Sequence, residues 1–256
     1  MKKVLNKVAN KLGFSVSKMG DDRQNYPDIK NEEFWQIYAL CKPFTMTSIE
    51  RMFSLYTSVD YVLSSNIEGA FVECGVWRGG SSMLIAKMLS NRKVTDRKIY
   101  LYDTYEGMSE PTDNDVSFKG ADAKVLLRES EDNKETSVWC LAGLDDVKAN
   151  LKSTNYKENN ISFIKGKVED TLPQNKPQEK IALLRLDTDW YESTKHELIH
   201  LYPDLVERGV LIIDDFGYWQ GCQKAVVEYI EEEKISILLN RVDSTGRVAI
   251  KMTAIK

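Results

Sequence analysis

Two short apolar runs, each closed by clustered acids, constrain this chain more than any other feature. Ile181-Ala-Leu-Leu-Arg-Leu runs into Asp187-Thr188-Asp189, and Gly209-Val-Leu-Ile-Ile runs into Asp214-Asp215. Runs this short, separated by one helix-length segment, read as neighbouring parallel strands buried on both faces. Their carboxyl ends then lie side by side, at the edge where open α/β sheets bind ligands. Four carboxylates gathered there repel one another unless a cation or shared protons offset the charge. The pattern predicts an oxygen-ligated divalent metal, whereas a lone Asp-x-Asp would read as a helix cap with solvent-facing neighbours.

From Gly69 onward strand and helix signals alternate, which predicts a mostly parallel sheet. Strands are expected at 69–74, 98–103, 161–165, 181–187, 209–214, 235–239 and 246–252. Helices are expected near 79–90, 121–130, 144–152, 191–206 and 219–232. Residues 31–65 are helical in period and rich in large apolar side chains, with a turn at Pro43 and Thr47 or Ser48 as the next helix cap. The organisation expected is an N-terminal arm and helical cap over 1–66, followed by one α/β domain over 67–256. The stretch 104–120 carries Gly107, Pro111 and Gly120 with no clear period. An irregular loop of that length is uncommon unless functional, so it is a candidate lid.

The totals exclude several classes. A chain of 256 residues with net charge −4 carries no whole-molecule field for nucleic acid. Cys41, Cys74, Cys140 and Cys222 are scattered with no CxxC pair, which fits a reducing cytoplasm and neither a zinc site nor a disulfide framework. No apolar run approaches the roughly 20 residues of a membrane span. The start, Met1-Lys-Lys-Val-Leu-Asn-Lys, is basic and helical in period, which allows at most peripheral contact with an anionic membrane.

Phe71-Val-Glu-Cys-Gly-Val-Trp-Arg-Gly-Gly-Ser-Ser follows a strand and opens a helix, with glycines that let backbone approach a ligand closely. It fits neither the dinucleotide fingerprint nor the P-loop. Its acid, Glu73, would repel a phosphate and attract an ammonium. Asp103 ends the next strand, about where an acid usually holds a ribose diol. An acid for an amine and an acid for a ribose suit S-adenosylmethionine. His196-Glu-Leu-Ile-His200 matches the zinc motif H-E-x-x-H. It sits mid-helix, away from the strand ends, and the chain has no third histidine, so a peptidase reading is disfavoured. Leu198, Ile199 and Leu201 are expected to form the buried face of that helix.

Five segments together resemble the macrocin O-methyltransferase family: Val72-Glu-Cys-Gly-Val-Trp-Arg-Gly-Gly-Ser, Leu101-Tyr-Asp-Thr-Tyr-Glu-Gly-Met, Gly166-Lys-Val-Glu-Asp-Thr-Leu-Pro, Leu184-Arg-Leu-Asp-Thr-Asp-Trp-Tyr-Glu-Ser-Thr, and Leu211-Ile-Ile-Asp-Asp-Phe-Gly-Tyr-Trp-Gln-Gly-Cys-Gln-Lys-Ala-Val. The resemblance covers most of residues 45–250. It implies a class I methyltransferase (Rossmann-like) fold, with a seven-stranded mostly parallel sheet, helices on both faces and an N-terminal helical extension. The implied activity is transfer of a methyl group from S-adenosylmethionine to a sugar hydroxyl of a bacterial glycan or glycosylated metabolite, usually with Mg²⁺. Alternatives are a catechol or other diol acceptor, or a non-catalytic cofactor-binding scaffold in glycan assembly.

Carried over by motif, Glu73, Gly75, Val76, Trp77 and Arg78 would hold the methionine part of the cofactor. Asp103, with Thr104 beside it, would hold the ribose. Lys167 and Val168 would lie by the adenine, and Thr45 would also reach the cofactor. Arg78 has a second reading, as the partner of an acid at a sheet edge. Asp187, Asp214 and Asp215 match the metal ligands, and Asp189 a general base. The chain departs from the family at Thr188-Asp-Trp-Tyr, at Gly166-Lys-Val and through the loop after Met108, so the acceptor does not transfer. A cytoplasmic homo-oligomer is expected.

Overall fold

The computed structural model describes residues 22–135 and 137–252. The basic start of the chain, and the membrane contact expected of it, lie outside them. The chain divides after Trp35. In the first unit, Arg23 pairs with Glu32 at 2.9 Å and its guanidinium lies 5.7 Å from the Trp35 ring centre. Trp35 Nε1 donates to Ile29 O at 2.8 Å. Helix α1 (Glu32–Cys41) is opened by Asn31, whose Oδ1 accepts from Phe34 N at 3.0 Å.

In the second unit, seven strands form one sheet: β1 (Ala70–Cys74), β2 (Ile99–Asp103), β3 (Ile161–Lys165), β4 (Ile181–Leu186), β5 (Leu205–Ile213), β6 (Asn240–Arg241) and β7 (Arg247–Ile250), in the order β3-β2-β1-β4-β5-β7-β6. The first five run parallel; β7 is antiparallel to both β5 and β6. The order reverses between β1 and β4, which places the crevice of an open α/β sheet at their carboxyl ends. Its helices are α2 (Ile49–Ser64), α3 (Gly80–Asn91), α4 (Ala123–Glu129), α5 (Leu144–Lys152), α6 (Val168–Thr171), α7 (Tyr191–Leu201) and α8 (Gln220–Glu232).

Strands β1 and β4 are buried at every position, which is why they read as apolar runs broken only by Glu73 and Arg185. Side chains of one parity, including Val72, Cys74, Leu184, Leu186, Leu211 and Ile213, pack with Leu198 and Leu201 of α7 and Cys222, Val226 and Tyr229 of α8. Side chains of the other parity, Glu73 and Arg185 among them, point to the opposite face. There Ser82 of α3 and Thr47, just before α2, reach them. Ser48 is the cap of α2, its Oγ accepting from Arg51 N at 3.1 Å.

Several expectations are corrected. The segment 235–239 is not a strand. Ile235, Ile237 and Leu239 anchor it on the core, and pairing with β7 begins only at Asn240 and Arg241, opposite Val248 and Arg247. Helix α7 stops at Leu201, because Pro203 lacks the N–H a further turn needs. β5 then begins at Leu205 and shifts register before Val210, with Arg208 at φ 64°. The buried face of α7 is Ser193, Thr194, Glu197, Leu198 and Leu201; Ile199 is 47% exposed. Steps of three and four residues select the former set and leave 199 on the outside.

Candidate active site

The carboxyl ends of β1, β2, β4 and β5 open onto a cleft of about 210 Å³. Thr45, Gly75, Val76, Trp77, Asp103, Thr104, Lys167, Val168, Asp187, Asp189, Asp214 and Asp215 all line it. Segments far apart in sequence meet there because each follows a strand of the same sheet edge or, for Thr45, the turn before α2.

At one end, Gly75 has φ 80°, and a Cβ at this position would stand 2.0 Å from Asp187 O. Only glycine lets the exits of β1 and β4 touch. Asp103 ties the turns after β1 and β2 together: its Oδ2 accepts from Val76 N at 2.6 Å and Trp77 N at 3.1 Å, and its Oδ1 from Tyr105 N at 2.6 Å. Burial raises the Asp103 pKa against the pull of those N–H groups. Trp77 adopts φ 47°, and its buried indole Nε1 has no hydrogen-bond partner among the described residues. A buried donor at a cleft wall calls for an acceptor on a ligand. Thr104 Oγ1 donates to Gly107 O at 2.5 Å, and Lys167 is the residue from which α6 starts.

Glu73 and Arg78, expected at the cofactor, do not line the cleft. Glu73 is fully buried and pairs through Oε1 with Arg185 Nη1 at 2.5 Å, while Oε2 accepts from Ser82 Oγ. Glu73 and Arg185 are direct partners across the β1–β4 ladder, so a carboxylate facing that side meets a guanidinium before any ligand. Arg78 pairs with Asp146 of α5 at 2.9 Å and lies 4.9 Å from the Phe44 ring centre; it has an acid partner, as its second reading expects, but on a helix and not at a sheet edge.

At the other end, one oxygen from each of Asp187, Asp214 and Asp215 lies within 4.8 Å of the others. Burial and the neighbouring carboxylates raise the pKa of Asp187 and Asp215 well above the ordinary range. Asp189, at φ 69°, stands beside Asp215 and is pushed up to about 7, chiefly by burial. Two arginines that sequence reasoning missed stand among these acids. Arg185 contacts Asp187 Oδ2 and Asp214 Oδ1, both at 2.7 Å, in addition to Glu73. Burial opposes its charge, but Asp187, Asp214 and Glu73 outweigh that and hold the guanidinium protonated. Arg51 of α2 pairs with Asp214 Oδ2 and, at 3.1 Å, with Asp243. The signal for Arg185 was a lone charge inside an apolar strand run; Arg51 left none. Two guanidiniums against Glu73, Asp187, Asp189, Asp214, Asp215 and Asp243 leave the cluster short of positive charge. Asp215 Oδ2 is buried with no partner among the described residues. Hard carboxylates with an orphaned oxygen fit Mg²⁺.

The H-E-x-x-H segment is no metal centre of this kind. Glu197 turns inward, its Oε1 accepting from Thr188 Oγ1 at 2.9 Å. The aspartate trio is the one group of three candidate ligands among the described residues. The loop expected as a lid touches the two helix starts: Trp190 Nε1 donates to Ser109 O at 3.0 Å, and Ser117 bridges to Trp219.

The family model for macrocin O-methyltransferase matches residues 30–250. The chain belongs to this family. It is therefore an S-adenosylmethionine-dependent O-methyltransferase, and the expected class I methyltransferase sheet is the one observed. It is 35% identical to the 8-demethyl-8-(2,3-dimethoxy-alpha-L-rhamnosyl)-tetracenomycin-C 4'-O-methyltransferase of Streptomyces olivaceus, over 79% of this chain and 73% of that one. It is 31% identical to the mycinamicin III 3''-O-methyltransferase of Micromonospora griseorubida, over 79% and 76%. The solved structure of the O-methyltransferase NovP superposes with a TM-score of 0.71 at 28% identity, covering 82% of this chain and 83% of that one. Relatives and family fall on the side of the enzyme reading, against the scaffold.

Proposed function

We propose that this methyltransferase uses Mg²⁺ to methylate a sugar hydroxyl of a bacterial glycan or glycosylated metabolite, in the cytoplasm. One observation carries the reading: the convergence of Asp187, Asp214 and Asp215, the last with an unpartnered Oδ2, in the same cleft as the glycine-rich turn after β1. The sugar acceptor is supported by relatives whose names place their methyl groups on glycosylated compounds. Four free cysteines fit a reducing compartment. No helix among the described residues is long and apolar enough to cross a membrane. A homo-oligomer is part of the proposal, and light scattering tests it.

S-adenosylmethionine supplies the electrophilic methyl, and Mg²⁺ held by Asp187, Asp214 and Asp215 supplies a Lewis acid that makes a hydroxyl more acidic. The rest falls to this chain. Gly75, Val76 and Trp77 would seat the methionine part, Asp103 and Thr104 the ribose, and Lys167 and Val168 the adenine, with Thr45 closing the same wall. Asp189 would accept the acceptor's proton, since a base near neutrality works best when its pKa matches the operating pH. Arg185 and Arg51 would hold the acid cluster together, and burial of the site would strengthen each of these interactions. The test is calorimetric titration of S-adenosylmethionine with and without Mg²⁺, followed by turnover on nucleotide-linked or free deoxysugars. Full activity in a strong chelator would remove the metal from the proposal.

A further inference from the structure

The loop between β2 and α4 carries a fully buried acid, Asp115, that the reaction does not use. Its Oδ2 accepts from Thr112 N at 2.7 Å and Thr112 Oγ1 at 2.9 Å, closing its own turn. Its Oδ1 accepts from Tyr191 N, the first residue of α7, at 2.8 Å. The same oxygen presses on Gly221 near the start of α8, where an added Cβ would stand 2.1 Å away. Neither helix is capped from within: Trp190 and Trp219, the residues before them, offer no side-chain bond. Those indoles pack edge to face at 4.9 Å between the two helix starts.

What precedes these helix starts matters. Asp187 lies four residues before Tyr191, and Asp215 six before Gly221. A carboxylate seated at the positive end of one helix and in contact with the other fixes the separation of the two turns that carry the acids. We infer that Asp115 is a positioning residue that sets the spacing of the Asp187 turn against the Asp214–Asp215 turn, and through it the affinity for the divalent cation. The inference rests on the cation reading above. Outer partners of metal ligands commonly control affinity about 10- to 100-fold.

The test uses the full chain and two independent disturbances of one contact. Asp115→Ala removes the carboxylate; Gly221→Ala leaves it in place and pushes from the other side. Mn²⁺ binding is measured by calorimetry, and S-adenosylhomocysteine binding is measured separately without metal. In both variants the Mn²⁺ dissociation constant is expected to rise about 10- to 100-fold, with S-adenosylhomocysteine affinity within about twofold of wild type. Asp115→Asn keeps an oxygen for Tyr191 N–H and is expected to bind Mn²⁺ within about threefold of wild type. Should Asp115→Ala fail to fold, Gly221→Ala carries the same expectation. Unchanged Mn²⁺ affinity, an equal loss of S-adenosylhomocysteine affinity, or an asparagine variant as impaired as the alanine one would each overturn the inference while the cation reading stands. Wild-type protein that takes up no Mn²⁺ would overturn both.

Discussion

The turn after β1 lines the cleft with a glycine and an indole and gives its amides to Asp103, whereas the turns after β4 and β5 face it with carboxylates held by guanidiniums. The first arrangement is local: Gly75, Val76 and Trp77 are consecutive, and the partner that organises them, Asp103, ends the adjacent strand. The second is assembled from afar, with Arg51 from the helix before the sheet and Asp243 from the β6–β7 hairpin at its edge. The difference teaches that a neutral seat can be specified by one short motif. A charged seat needs counter-charges that no local pattern announces, because Coulomb attraction depends on distance in space and not along the chain.

The sharpest way to break the comparison is at the charged end. Asp187→Asn or Asp215→Asn should reduce turnover below detection while S-adenosylhomocysteine affinity, read by calorimetry, stays near wild type. Parallel loss of both would mean the two ends are not separable. Next in size is the buried pair between β1 and β4. Arg185→Met leaves Glu73 without its cation in the core and should cost about 3–5 kcal/mol in urea unfolding. Adding Glu73→Leu should recover most of that, since paired apolar replacement of a buried ion pair is often neutral; no recovery would show that Arg185 acts on the aspartates alone.

A third measurement uses pH. Asp189 is pushed up to about 7, so in cation-free protein it holds a proton below that pH. Losing this proton puts a negative charge beside the ligand Asp215, so Mn²⁺ affinity should climb as pH rises through about 7. Titrations at several pH values across neutrality check this, and a flat profile there would detach Asp189 from the cation site. The smallest effect is expected at Arg78. Its pair with Asp146 is more than a third exposed on both sides, so Arg78→Ala should cost at most about 1 kcal/mol and leave S-adenosylhomocysteine affinity within about threefold. A loss beyond tenfold would return Arg78 to the cofactor.

The same contrast explains what could be read before the fold was known. The strand at 181–187 was legible because a strand buried on both faces is apolar but for one residue and ends where charge begins. Asp187, Asp214 and Asp215 were legible because two acid clusters closed adjacent strands. Glu73 misled, since an acid before a glycine turn looks ligand-facing until its cross-strand partner is known. Apolar alternation at 235–239 misled in another way: it recorded anchoring on the core, which needs no ladder. Asp115 and Arg51 gave no local sign, because each acts on helices or strands more than 75 positions away.

Asp243 deserves a practical reading. It accepts from Thr245 N and Gly246 N in the tight bend between β6 and β7, and from Ser48 Oγ at the head of α2, so one carboxylate staples the tail hairpin to the helix that delivers Arg51. Trimming the chain before this bend, a common step when preparing a protein for crystallisation or fusion, would release that staple. The shortened protein should still seat its nucleoside but hold magnesium poorly, although Asp187, Asp214 and Asp215 are all retained.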